Sequence, residues 1–202
     1  MNQYSRLTLA ELLEAFASSH PVPGGGSAAA LTGAVGASLL IMVAGLPKTR
    51  HGTDEERAAL TAAAARLRPL RDELASLVER DSDAYTSVMN AYRLPRSSDA
   101  EQAARRHSID EAMRTATEAP METIRACERA MREAEVIATS GAASAASDAA
   151  VGIELLKTAA RSAGLNVDTN LTAVKDAEFV KRISQEQRDL EQAIEELLPS
   201  GS

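Results

Sequence analysis

Between His20 and Lys48 the chain runs 27 residues without an Asp, Glu, Lys or Arg, and this stretch decides most of what it can fold into. From Ser27 to Leu46 it reads as one helix, long enough to cross a bilayer. Ala, Gly, Ser and Thr dominate it rather than Leu, Ile and Phe, and no second span or basic flank accompanies it. It is therefore expected to be the buried axis of the fold and not a membrane helix. Small residues at Ala29, Ala30, Gly33, Gly36 and Ala37 would let neighbouring helices approach closely all round it. Alanine supplies 40 of the 202 residues, so close approach of backbones must do much of the work of a core, and such a composition is helical.

Helix starts are legible around this axis. The Ser/Thr-x-x-Glu capping box, which satisfies two orphan N–H groups, occurs at Thr8/Glu11, Thr53/Glu56 and Ser98/Glu101. From Thr8 the apolar series Leu9, Leu12, Leu13, Phe16 predicts a short amphipathic helix ending before Pro21. Long helical patterns run from Thr53 to about Leu94 and from Ser98 to about Thr139, with breaks or kinks expected at Pro69 and Pro120. A further helix should end near Gly164 in a left-handed cap, and an amphipathic outer helix should cover Leu171 to Leu198. No run of alternating β-branched residues predicts a sheet, and no linker divides the chain. The expected architecture is all-α, a single helical domain over residues 1–202.

Charge and composition narrow the function. With 22 Lys+Arg against 29 Asp+Glu the net charge is −7, which argues against nucleic acid or an anionic membrane as partner. Five aromatics without Trp leave no base-stacking platform. The single cysteine, Cys127, has no His or Cys at metal spacing and reads as a buried inert thiol; no metal site is expected. The first residues lack the features of a signal peptide, and a cytoplasmic setting is expected. Arg105-Arg106 and the Glu/Arg-rich face of 122–135 read as solvated.

Chemistry is concentrated in four segments. Gly24-Gly25-Gly26-Ser27 precedes the uncharged helix; it either lets a ligand approach the main chain or is a tight turn with Ser27 as N-cap. Asp81 and Tyr85 share a stripe with Val88 and Tyr92, where a carboxylate needs a partner: a ligand's N–H groups or a neighbouring Arg. Ser147-Asp148 precedes Val151, Gly152, Leu155 and Ala159, so Asp148 is expected on an inward face as a functional carboxylate, with a helix N-cap as the competing reading. Asn166 and Asn170 are expected in a loop after Gly164, presenting amides to a ligand or holding a turn.

The order PVPGGGSAAALTGAVGASLLIMVAGL, DSDAYTSVMNAYRLPR, SDAAVGIELLKTAA and LNVDTNL resembles the cyclodeaminase/methenyltetrahydrofolate cyclohydrolase family, which includes the C-terminal half of formiminotransferase-cyclodeaminase. The resemblance covers nearly the whole chain. It implies an all-helical homodimer with a folate pocket near the glycine loop, acting on the methenyl bridge of tetrahydrofolate. Water would be added to the methenyl form, or ammonia released from the formimino form; a non-catalytic helical dimer that keeps the fold is the alternative of another class. Two segments depart from the family pattern: Gly141-Ala142-Ala143-Ser144 lacks the two amides of Gly-Asn-x-Asn, and Pro47–Gly52 keeps only Lys48 and Arg50 of a lysine-rich segment. The implied catalytic group is Asp148, Asp81 and Tyr85. Asp148 is the candidate base and Asp81 the partner of the pterin N–H groups, with an exchange of the two roles as the alternative. Gly24, Gly25, Gly26, Ser27, Ser147, Asn166 and Asn170 would line the substrate, and Lys48 and Arg50 would meet the glutamate tail. Because the methenyl carbon is already an electrophilic amidinium, no cofactor beyond the folate substrate is expected.

Overall fold

Thr8, Thr53 and Ser98 each start a helix in the computed structural model, which describes residues 4–197, and each closes both bonds of its capping box. The helices are α1 (Leu9–Ala17), α2 (Gly25–Ala44), α3 (Asp54–Tyr92), α4 (Asp99–Ser140), α5 (Ala146–Leu171) and α6 (Ala177–Leu197). Single 3-10 turns lie at Tyr4–Arg6 and Ala143–Ala145. Among the described residues the only bridge of β type joins Thr49 to Gly141.

Although α2 is long and apolar enough to span a membrane, most of it is buried against α3, α5 and α4. Its glycines explain the close fit. A Cβ on Gly33 would stand 3.1 Å from Leu74 Cδ2 and 3.3 Å from Ala159 Cβ, and one on Gly36 would stand 2.8 Å from the Gly152 carbonyl oxygen. These contacts, with Gly25 beside Asn166, run α2 and α5 antiparallel. The Ala44 carbonyl that ends α2 and the Leu46 carbonyl just beyond it are met by Arg57, whose guanidinium donates to them at 3.2 Å and 2.7 Å. One face of α2 stays open: Val35, Ser38 and Met42 are exposed. The axis is thus enclosed on three sides and not all round.

Several local expectations are corrected. Neither Pro69 nor Pro120 splits its helix. Pro69 is exposed, as is Ala65, whose carbonyl loses its helical donor, so the missing bond falls on the solvent-facing side of α3. Gly164 is not a C-cap. Helix α5 passes through it to Leu171, and the glycine is needed because a Cβ would stand 2.9 Å from Gln187 Nε2 and overlap Glu191 of α6. Asn166 and Asn170 therefore sit on a helix, not in a loop. Helix α6 starts later than expected, where Asp176 accepts from the Glu178 and Phe179 N–H groups; Leu198 lies outside the described residues. The charged face of α4 is not merely solvated, since Arg66–Glu133 (2.6 Å), Arg129–Glu73 (2.6 Å) and Arg80–Glu122 tie it to α3. Cys127 is fully buried, and burial pushes its thiol up to about 12.

Candidate active site

Where α2 begins, its first turn meets α3, α4 and α5 around a cavity of about 320 Å³. Pro21, Val22 and Gly24–Gly26 form one wall, Asp81, Tyr85 and Val88 of α3 a second, Met113 and Ala116 of α4 a third, and Asn166, Thr169 and Asn170 of α5 the fourth. The floor belongs to a satellite core of Ala84, Val88, Met113, Ala116 and Val174, separate from the main one. Such a volume is at the low end for a small-molecule site. It suits a fused ring and leaves any long tail outside.

Gly26 explains how a carboxylate reaches this place. A Cβ there would lie 2.6 Å from Asp81 Cγ, so only glycine lets the carboxylate rest on the first turn of α2. The neighbouring Arg80 does not pair with Asp81; it is taken by Glu122. Burial raises the Asp81 pKa above the usual carboxylate range, while hydrogen bonds from Ser27 pull the other way. Ser27 itself is neither the N-cap of α2, which is Gly24, nor a pocket residue: it is fully buried behind the carboxylate, 3.0 Å from Asp81 Oδ2. The reading of Ser27 as substrate-binding is corrected on that ground.

Asn170 is set by a proline. Pro120 has no N–H, so the Ala116 carbonyl one turn earlier lacks its helical donor, and Asn170 Nδ2 supplies one at 2.9 Å. Asn166 Nδ2 donates back to Ser162 O at 2.9 Å. With one N–H of each amide engaged, each keeps its carbonyl oxygen and a second N–H to offer a ligand, and with the Asp81 carboxylate the cavity presents three acceptor groups. It can receive a cation or a ring rich in N–H groups. In Pro120→Ala the main chain regains its own donor to Ala116 O and Asn170 loses its anchor. Substrate binding should weaken about tenfold, the worth of one hydrogen bond, and a KM equal to that of the parent would show that the anchor does not matter.

The remaining candidates lie elsewhere. Asp148 is exposed in the first turn of α5, not turned inward, because Ala149, Gly152, Ile153 and Leu156 take the buried face and leave it just outside. Eighteen residues of continuous helix separate it from Asn166, about 27 Å at 1.5 Å per residue. Ser147 is exposed beside it, so neither serves as N-cap by side chain, that position falling to Ala145. Lys48 and Arg50 border a separate surface depression with His51 and Arg57 at the other end of α2, where Arg50 donates to Ala138 O at 2.9 Å. Gly141–Ser144 is at that end too, adjoining Ser140, whose carbonyl accepts from Arg50 N (2.8 Å). Within one chain, then, Gly24–Gly26, Asp81, Tyr85, Asn166 and Asn170 converge, and Asp148, Ser147, Lys48 and Arg50 do not. Among the described residues no three His, Cys, Asp or Glu side chains gather to hold a metal ion.

Comparison with known proteins bears on this geometry. The family model described as formiminotransferase-cyclodeaminase matches residues 8–189. A methenyltetrahydrofolate cyclohydrolase from Methylorubrum extorquens is 38% identical over 174 residues, 86% of this chain and 84% of that protein. The formimidoyltransferase-cyclodeaminase of Gallus gallus is 30% identical over 81% of this chain, which spans only 30% of that longer protein. The crystal structure of a formiminotetrahydrofolate cyclodeaminase from Thermotoga maritima superposes with a TM-score of 0.85 at 28% identity, covering 96% of this chain and 92% of the other.

Proposed function

The chain belongs to the formiminotransferase-cyclodeaminase family, and from that premise we propose that it hydrolyses 5,10-methenyltetrahydrofolate to 10-formyltetrahydrofolate in the cavity at the start of α2. The observation that carries this reading is the Asp81 carboxylate seated on Gly26 in a cavity that also offers the amide oxygens of Asn166 and Asn170. A pterin carries several N–H donors, and its methenyl bridge is a cationic amidinium; both match acceptors and a negative charge.

The chemistry is proton handling. Water adds to the methenyl carbon and passes a proton to Asp81, giving a neutral hydroxyl adduct. The bond from that carbon to N5 then breaks as Asp81 returns its proton to N5, and the hydroxyl proton leaves to solvent. One water is consumed, one proton is released, and 10-formyltetrahydrofolate results. Asp81 thus acts as base and then acid, a task suited to a carboxyl whose burial raises its pKa. Tyr85, at the rim, can orient the water through its hydroxyl.

A homodimer completes the proposal. Exposed Val35, Ser38 and Met42 on α2 and Val151 and Thr158 on α5, with Glu154 as the one exposed charge between the last two, form a strip running from the cavity to the Asp148 end. A second copy laid on it about a twofold axis would run antiparallel. The partner subunit's Asp148 would then face the cationic substrate, and the partner subunit's Lys48 and the partner subunit's Arg50 the tail that the cavity leaves outside. Both halves of the implied site would meet, twice per dimer.

Incubation with methenyl- and with 5-formimino-tetrahydrofolate, reading formyl product and ammonia separately, tests the reaction: formyl product from the first is expected, ammonia from the second alone would make the protein a cyclodeaminase, and neither would leave a non-catalytic dimer. In the same series Val35→Arg should halve the mass seen by light scattering from twice 21.3 kDa and abolish turnover. A monomeric parent that turns over would remove the dimer.

A further inference from the structure

The mechanism leaves two buried serines behind Asp81 unused. Ser27 Oγ lies 2.9 Å from Val78 O, 3.0 Å from Asp81 Oδ2 and 3.1 Å from Ser82 Oγ, and both serines are fully shielded from solvent. We propose that Ser27 and Ser82 form a hydroxyl relay that keeps the Asp81 carboxyl hydrogen-bonded both with and without its proton, and so act as positioning residues for proton transfer. This rests on the reading of Asp81 as the proton carrier.

The hydrogen count carries the argument. Ser27 has one hydroxyl proton and two acceptors for it, the Val78 carbonyl and Asp81 Oδ2. When Asp81 is ionised, Ser82 donates to Ser27 and Ser27 donates to the carboxylate, so the charge is met. When Asp81 takes a proton on Oδ2, that O–H donates to Ser27 Oγ, and Ser27 turns its own proton to Val78 O. Ser82 continues to donate to the second lone pair of Ser27. Every hydroxyl proton has an acceptor in both states, and the switch needs only the rotation of the Ser27 hydroxyl and of the Asp81 O–H between Ser27 and the cavity, with no heavy atom displaced. A single-acceptor arrangement would favour one charge state and slow either the uptake or the return of the proton.

Besides the Ser27 backbone N–H, which also holds the pKa down and is kept in Ser27→Ala, little else near Asp81 can set its titration. Helix α2 presents Gly26 and Ser27, α4 Met113 and Ala116, and α5 Asn166, Thr169 and Asn170, none of them charged. On α3 the rim residue Tyr85 is the other titratable group lining the cavity, and Arg80 is occupied by Glu122.

The test is a carbon-detected NMR titration of the Asp81 carboxyl in the intact protein, with Asp81→Asn identifying the resonance. In Ser27→Ala the ionised form loses a charge-assisted bond and the protonated form only a neutral one, so the midpoint should rise by about one pH unit. Ser82→Ala removes the donor that polarises Ser27 and should raise it by about a few tenths of a unit. The acid limb of kcat should move upward in the same order while KM stays put. Midpoints unmoved in both variants would overturn the relay, and if Ser27→Ala does not fold, Ser82→Ala decides. Midpoints that move in a protein without folate turnover would uphold the relay and refute the functional reading instead.

Discussion

Asp81→Asn is expected to lower kcat for methenyltetrahydrofolate by about 10²–10⁴-fold, the usual contribution of a positioned proton acceptor, with KM changed far less. The amide matches the carboxylate in shape and can still contact Ser27, so the cavity should persist while the proton carrier is gone. Stability separates this loss from unfolding. Because burial raises the Asp81 pKa, the folded state binds the proton more tightly than the unfolded chain does, and the stability this contributes at low pH is lost as pH rises through the folded pKa. A neutral amide at this position carries no such cost, so at neutral pH the thermal midpoint of the variant should be no lower than that of the parent. A normal midpoint with kcat reduced a thousandfold supports the assignment. A variant with parental kcat and KM would make the carboxylate structural.

The second large effect concerns the crossing of α2 and α5. Gly36 and Gly152 meet backbone to backbone: a Cβ on Gly36 would be 2.8 Å from Gly152 O, and one on Gly152 would be 3.0 Å from Gly36 O. Gly36→Leu must push the helices apart, since no rotamer moves a main-chain carbonyl aside. A cost of about 3 kcal/mol, the upper end for overpacking, would lower Tm by about 6–12 °C in a domain of this size. Gly33→Leu meets the side chains of Leu74, Ala159 and Cys127 instead, at 3.1–3.3 Å, and these can yield. It should cost less, about 1–2 kcal/mol. Calorimetry that found the reverse order, or no loss at Gly36, would place the axis of the fold elsewhere.

These contacts also show what a sequence can and cannot reveal. Capping boxes and the uncharged axis are legible because they are local: Thr53 and Glu56 satisfy each other within one turn, and 27 residues without charge have few places to go. Pro120 and Gly164 mislead because their reasons lie on other helices. The carbonyl freed by Pro120 is claimed by Asn170, fifty residues on, and Gly164 makes room for Glu191 and Gln187. A helix ending at Gly164 would leave Asn166 free to fold back toward Asp148; on one unbroken helix the two stay apart. Asp148 itself fails by a small rotation, since the residue next to it, Ala149, is the one turned inward. Gly24–Gly26, Asp81 and Tyr85 are identifiable because a glycine run and a carboxylate on an apolar stripe both require explanation. Ser82, behind Asp81, carries no such signal. Ser82 is one of several hydroxyls along α3, and only the approach of α2 sets it apart.

The most direct measurement follows the methenyl absorbance of 5,10-methenyltetrahydrofolate on adding micromolar protein, with Asp81→Asn at equal concentration beside it. The account predicts a saturable decay well above the uncatalysed rate, proportional to protein and almost absent in the variant. Decay at the uncatalysed rate with the parent, or at the parental rate with Asp81→Asn, would contradict it.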